Sequence, residues 1–184
     1  MKTATYTMIA AIALAAASTF AAEKGKKDDD VFGGFEDTGR IVINAASAKK
    51  IAAPMRWGKD AAAVKGKFLE IPDSGKTGAK VKEGQGHAIF EFEAKEDGKY
   101  YVHMRVWWTD ACGNSIHVAV DDKKPIRIQD STYKHWHWVK AKRKVIKLTK
   151  GKHALKVSNR EDGARFDQVL LINDKEYVPQ GIEE

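Results

Sequence analysis

Five tryptophans, Trp57, Trp107, Trp108, Trp136 and Trp138, are the residues best suited to hold a ligand. An exposed indole offers a flat apolar face with a polar edge. The C–H face of a pyranose ring lies well against such a surface, and large aromatics commonly anchor partners. Trp107 and Trp108 are neighbours, so in an extended strand they point to opposite faces and at most one packs inward. Trp136 and Trp138 are two apart and share a face unless a bulge intervenes. The plain alternative is that several of them fill the core or cover its rim.

The stretch "NREDGARFD" crowds Asn159, Arg160, Glu161, Asp162 and Arg165 into one connection between two apolar runs. Asp162-Gly163 alone makes an ordinary hairpin turn. Arg160 and Glu161 suit a local ion pair, which stabilises little when exposed. The sharper reading is a polar cluster that hydrogen-bonds ligand hydroxyls, with an arginine fork matched to an acid group. Loops on a rigid scaffold are where such residues tend to sit.

Catalytic arrangements are weaker. His103 and His117 both alternate out of phase with their apolar neighbours, which places them on a sheet surface with Arg105. Histidines gathered there could bind a metal and support a metal-dependent glycan hydrolase or lyase. Glu161 and Asp162 are adjacent on a turn, poor geometry for two carboxylates that must flank a glycosidic bond. The sequence has no C-x-x-C, H-E-x-x-H or G-x-S-x-G pattern, and its one cysteine, Cys112, reads as a small loop residue. The chain is therefore read as non-catalytic.

Residues 1–22 read as an export signal: Lys2, the apolar run "MIAAIALAAAS", then small residues for cleavage after Ala21 or Ala22. The run is too short and too alanine-rich for a membrane span. Residues 23–39, glycine-rich and charge-blocked, read as a flexible polar lead-in. A lone cysteine excludes an intramolecular disulfide, so residues 40–184 must hold together through their core. The formal charge of +7 suits anionic partners such as an acidic polysaccharide. Nucleic acid is excluded on export and on the dispersal of the charge, which clusters only modestly at "KAKRKVIKLTKGKH".

From Arg40 onward the apolar period is two. "RIVINAAS", "KGKFLEIP", "GHAIFEFEA", "GKYYVHMRVWW", "SIHVAVDD", "KVIKLTK", "HALKVSN" and "FDQVLLIND" alternate or run apolar between turn signals. Helical signal is weak, since Pro54 cuts "AASAKKIAAPM" short. The expectation is an all-β antiparallel sandwich of eight or nine strands, a jelly roll.

The order of these segments resembles the galactose-binding-like jelly-roll carbohydrate-binding modules, families 6 and 35 above all. The resemblance rests on Gly98, Tyr100, Val102 and Arg105 in one strand, and on Val118, Val120 and Asp121 in the next. Trp136 follows, then Leu148, Gly151, His153 and Leu155, and last Asp167 before Val169; it covers residues 40–174. It implies sugar binding by loops at one end of the sandwich, with Trp57, Trp107 or Trp108, Trp136 and the cluster of residues 159–165 as candidates. Where the family has an asparagine before the final aspartate, this chain has Arg165 and Phe166, which points to an acidic sugar. The resemblance also implies a structural calcium near the first strand, with Asn44 and Asp167 as its candidate ligands.

The expected function is a secreted or periplasmic domain that recognises an oligo- or polysaccharide through exposed tryptophans and a polar loop. A separate carbohydrate-active enzyme or an envelope protein is the expected protein partner. The rival is a structural or protein-interaction β-sandwich of the cell envelope without a sugar site.

Overall fold

The computed structural model describes residues 39–75 and 81–184. The proposed signal, and all of the lead-in but Gly39, lie outside the described residues. Eleven strands follow in order: β1 (Arg40–Asn44), β2 (Lys50–Ala52), β3 (Arg56–Lys59), β4 (Lys67–Glu70), β5 (His87–Ala94), β6 (Gly98–Trp108), β7 (Ser115–Val120), β8 (Ile126–Gln129), β9 (His137–Leu148), β10 (Gly151–Asn159) and β11 (Ala164–Ile172). One sheet runs β3-β4-β11-β6-β9, with β1 also on β11. The other runs β2-β5-β10-β7-β8. Every pairing is antiparallel.

The all-β sandwich is as the alternation predicts. The count exceeds eight or nine because β2, β3 and β8 are short strands with too few residues to show a period. The "AAS" of the weak helical segment forms a single 3₁₀ turn, Ala45–Ser47.

The core lies between the sheets. β6 contributes Tyr100, Val102, Met104, Val106 and Trp108, all fully buried. They pack in one cluster with Phe90, Ile116, Val118, Leu155 and Val157 of the second sheet. Phe90 and Phe166 meet edge to face across the layers at 6.3 Å. Burying one such ring contributes roughly 1.5–3 kcal/mol, and this packing stabilises the domain without a cystine, Cys112 being free and exposed.

Two bulges break the alternation. In β11 the register shifts between Phe166 and Gln168, so Asp167 drops out of the ladder with β6. The extra residue lets Phe166 and Val169 both point inward, where a regular strand would turn one of them out. In β9 the pairing jumps from Lys140 opposite His103 to Val145 opposite Tyr101. Residues 141–144 face Val102 alone, and Arg143 takes φ 54°. Asp162-Gly163 makes the predicted β10–β11 turn. Gly163 has φ 74° there, and a Cβ would meet the Thr109 hydroxyl at 2.9 Å.

After β11 the chain forms no further strand. Residues 173–184 are tied instead to side chains of β1, β9 and β11. Glu183, 7% exposed, is the anchor: it accepts from Arg40, from the Tyr177 hydroxyl at 2.8 Å and from the Gln180 N–H at 2.9 Å. Its own backbone exchanges two hydrogen bonds with the Gln168 amide, at 2.7 and 3.0 Å.

Candidate binding site: the outer face of the first sheet

The residues of β6 that alternate away from the core are Tyr101, His103, Arg105 and Trp107, as the period predicts. Beside them, β9 places Trp138 opposite Arg105 and Lys140 opposite His103. β11 places Arg165 opposite Trp107 and Glu70. Aromatic rings and cations therefore interleave on one face. The Arg165 guanidinium lies 4.1 Å from the Trp107 ring centre and 5.2 Å from that of Phe68. Glu70 pairs with Arg165 at 3.3 Å and with Arg56 at 3.0 Å. Arg105 lies 5.2 Å from the Trp136 ring, and Trp136 meets Phe68 edge-on at 5.6 Å. The Trp136 indole N–H donates to Asp60 at 2.9 Å. The Ala62 N–H and this indole hold the Asp60 carboxyl below its ordinary range.

A cleft of about 490 Å³ opens between this face and the C-terminal segment. Its lining includes His103, Arg105, Trp136, Trp138 and Lys140 on one side and residues 175–181 on the other. The segment is fastened on both sides: the Lys140 ammonium donates to the Lys175 carbonyl, and the Trp138 indole N–H donates to that of Gly181 at 3.0 Å. The size falls within the range of small-ligand sites, roughly 300–1,000 Å³. His103 is 3% exposed, and its Nε2 has no hydrogen-bond partner. Burial, then the Lys140 charge, lower its pKa to about 4, so it is neutral at pH 7 and offers one donor and one acceptor.

Asp167 stands on the same side of the sheet, fully buried. Its Oδ2 accepts from the Val64 N–H at 2.8 Å and pairs with Arg105, while Oδ1 has no partner. Burial pushes its carboxyl up to about 6, against the Val64 and Arg105 hydrogen bonds that pull it down. Arg105 is fixed from below by this carboxylate and by the Ala62 carbonyl at 3.0 Å.

Not every sequence candidate reaches this face. Trp107, Trp136, Trp138 and Arg165 do. Trp57, 44% exposed, lines a separate recess of about 360 Å³ with Ala46, Gly58, Lys59 and Lys67. Trp108 is a correction: it is fully buried, its indole N–H donates to Asp130 at 2.8 Å, and it has no face to offer a sugar. Asn159 is likewise fully buried, with its amide between the Gly86 N–H and the Lys82 carbonyl. Glu161 accepts from Ser115, from the Asn114 N–H and from Arg160. Asp162 accepts from Ser74. These four polar residues, Arg160 among them, stitch the loops at one end of the sandwich. The histidine pair does not assemble either: His103 is on the first sheet and His117 on the second, each outward, so the sandwich separates them. Sequence reasoning missed the C-terminal segment and Lys140, and it considered His103 only as a metal ligand.

No protein-family model matches the chain. A curated relative, the uncharacterized protein P23 of Formosa agariphila, is 27% identical over 106 residues, covering 49% of this chain and 26% of that protein. Solved structures align further. A family 35 carbohydrate-binding module from Clostridium thermocellum superposes with TM-score 0.56 at 10% identity, over 72% of this chain and 98% of the module. The C-terminal family 6 module of a marine laminarinase from Zobellia galactanivorans gives 0.51 at 9% identity, over 72% and 98%. The chain has the jelly-roll fold of these carbohydrate-binding modules. A Podospora anserina β-1,4-mannanase with an attached family 35 module gives 0.58 at 13% identity, over 79% of this chain and 30% of the enzyme.

On this jelly roll the residues near β1 do not fit the calcium expected from the resemblance. Calcium requires several oxygen ligands, carboxylates among them. The Asn44 amide oxygen is taken by Gln168 at 2.8 Å, and the Asp167 carboxylate already faces a guanidinium. Among the described residues no group of three or more His, Cys, Asp or Glu side chains is placed to hold a metal.

Proposed function

We propose that the chain is a non-catalytic, exported carbohydrate-binding domain, and that its sugar lies in the cleft between Trp136, Trp138 and the C-terminal segment. The observation that carries this reading is the pairing of two half-buried indoles with fixed polar groups in one cleft of ligand size. Arg105 is held rigid by Asp167, so little freedom is lost when it donates to a ligand oxygen. Neutral His103 supplies a hydroxyl partner. Glu176, the carboxylate in the lining, pairs with Lys175 at 3.5 Å, which leaves Arg105 and Lys140 to bias the site towards acidic sugars. A separate carbohydrate-active enzyme or an envelope protein is the natural partner of such a domain.

The rival reading, a structural sandwich without a sugar site, draws on one observation: Arg165 faces Trp107 and Arg105 faces Trp136, so part of each ring is already occupied. Titration of purified protein with oligosaccharides, followed by tryptophan fluorescence, separates the two. Trp138→Ala and Trp136→Ala each weaken binding at least tenfold, with the thermal transition of Trp138→Ala within a few degrees of the parent. Unchanged affinity in both variants contradicts the placement of the site.

A further inference from the structure

The basic run "KAKRKVIKLTKGKH" plays no part in the cleft beyond Lys140. In the fold it begins on β9, the last strand of the first sheet, while β8 is the last strand of the second. Between these two edges runs a trough of two recesses, about 450 and 630 Å³, which share Arg127 and Lys144 in their linings. Six cations line it: Lys123, Lys124 and Arg127 from the β7–β8 side, and Lys142, Lys144 and Lys147 from β9. Among the described residues that line it, Asp130 is the one carboxylate, and it is engaged by Trp108 and His137. None of the six cations is in an ion pair among the described residues.

The β9 bulge shapes this wall. Residues 141–144 leave the ladder with β6 and present Lys142, Arg143 and Lys144 as exposed side chains, with Arg143 at φ 54°. A non-glycine residue in that region costs on the order of 1 kcal/mol. Lysines and bulges also guard exposed strand edges against pairing with another chain. That role explains β9 by itself. It does not explain a second row of cations, carried by the other sheet and facing the same trough.

We propose that this trough binds a linear anionic polysaccharide, carboxylated or sulfated, along the β8–β9 edge. The inference is independent of the cleft reading, because the two sites share no lining residue. Charge complementarity names the ligand class: cations unpaired with protein acids, on two walls, suit a chain with repeated negative groups. No aromatic side chain lines the trough, so it lacks the stacking platform that single-stranded nucleic acid uses. A recess between walls accepts a polymer chain, whereas a membrane surface needs an open basic face.

The test is calorimetric titration of the purified protein with alginate and with dextran sulfate at 0.05 and 0.15 M salt. A single-stranded oligonucleotide and anionic lipid vesicles are the comparison probes. The expected result is saturable binding to one or both polysaccharides, and the two arms distinguish carboxylate from sulfate. The Arg127→Glu/Lys142→Glu/Lys144→Glu variant loses at least tenfold at 0.15 M salt. A control with the same change in charge, Lys59→Glu/Lys95→Glu/Lys152→Glu, loses less than threefold. Circular dichroism confirms that both triple variants are folded. Equal losses in the two triple variants overturn the proposal, since net charge alone then accounts for binding. Tighter binding of the oligonucleotide or the vesicles, or absence of saturable binding to either polysaccharide, also overturns it.

Discussion

His103 is a titratable residue held almost entirely away from water. Its ring is 3% exposed, one nitrogen has no partner, and its pKa is lowered from 6.5 to about 4 by burial and by Lys140. A histidine held neutral in the fold contributes stability that is present above its unfolded pKa and lost as pH falls towards the folded one. Asp167 runs the other way: its raised carboxyl contributes stability at low pH that is lost as pH rises through about 6. The two partly cancel in the parent, so the difference from a variant is the useful quantity. Between pH 7 and pH 5, the parent loses about 2 kcal/mol more stability than His103→Leu does, measured by urea unfolding. Equal losses contradict a buried neutral imidazole. Trp138 is the residue of choice for the binding test, because among the described residues its indole N–H donates to the Gly181 carbonyl alone, whereas Trp136 supports Phe68, Asp60 and Arg105.

At the scale of elements, the segment after β11 forms one wall of the cleft and depends on Glu183. Burial pushes that carboxyl up, but hydrogen bonds from Arg40, Gln180 and Tyr177 outweigh it and hold its pKa below the ordinary value. Glu183→Ala leaves these donors unmatched. It lowers stability by about 2 kcal/mol, opens residues 173–184 to proteolysis ahead of the sandwich, and weakens sugar binding. A segment that resists protease as in the parent contradicts this anchoring. None of this was legible in the sequence, because Arg40 and Glu183 are 143 residues apart and residues 173–184 carry no period. The long strands were legible, since a sheet buried on one face forces alternation: "GKYYVHMRVWW" places Tyr100, Val102, Met104 and Val106 on one face and Tyr101, His103, Arg105 and Trp107 on the other. The bulges in β9 and β11 were not, because an extra residue is defined only against a partner strand. The cluster "NREDGARFD" reads as a ligand loop because its side chains are polar. It is polar in part because Ser74, Gly86, Asn114 and Ser115 of neighbouring loops need partners, and only the contacts reveal that.

For the whole molecule, two features that composition merges are separate in space. Among the described residues, Tyr101, Trp107, Trp136 and Trp138 gather on the outer face of the first sheet, while a row of six cations lies along the β8–β9 edge. The two predict different salt responses. Contacts of sugar with indole, imidazole and a fixed guanidinium are short-ranged and persist in salt. Attraction of a polyanion to exposed lysines is screened over about 8 Å at physiological ionic strength and fades. The jelly-roll scaffold holds loops and edges on a rigid core, and similar scaffolds carry unrelated functions. The central claim is therefore about the cleft. The most direct measurement is binding of the purified protein to a panel of neutral and acidic oligosaccharides at low and moderate salt. The account predicts saturable binding to a defined sugar class that survives moderate salt and is lost in Trp138→Ala. Binding only to acidic glycans that vanishes with salt, or no binding to any member of the panel, contradicts it.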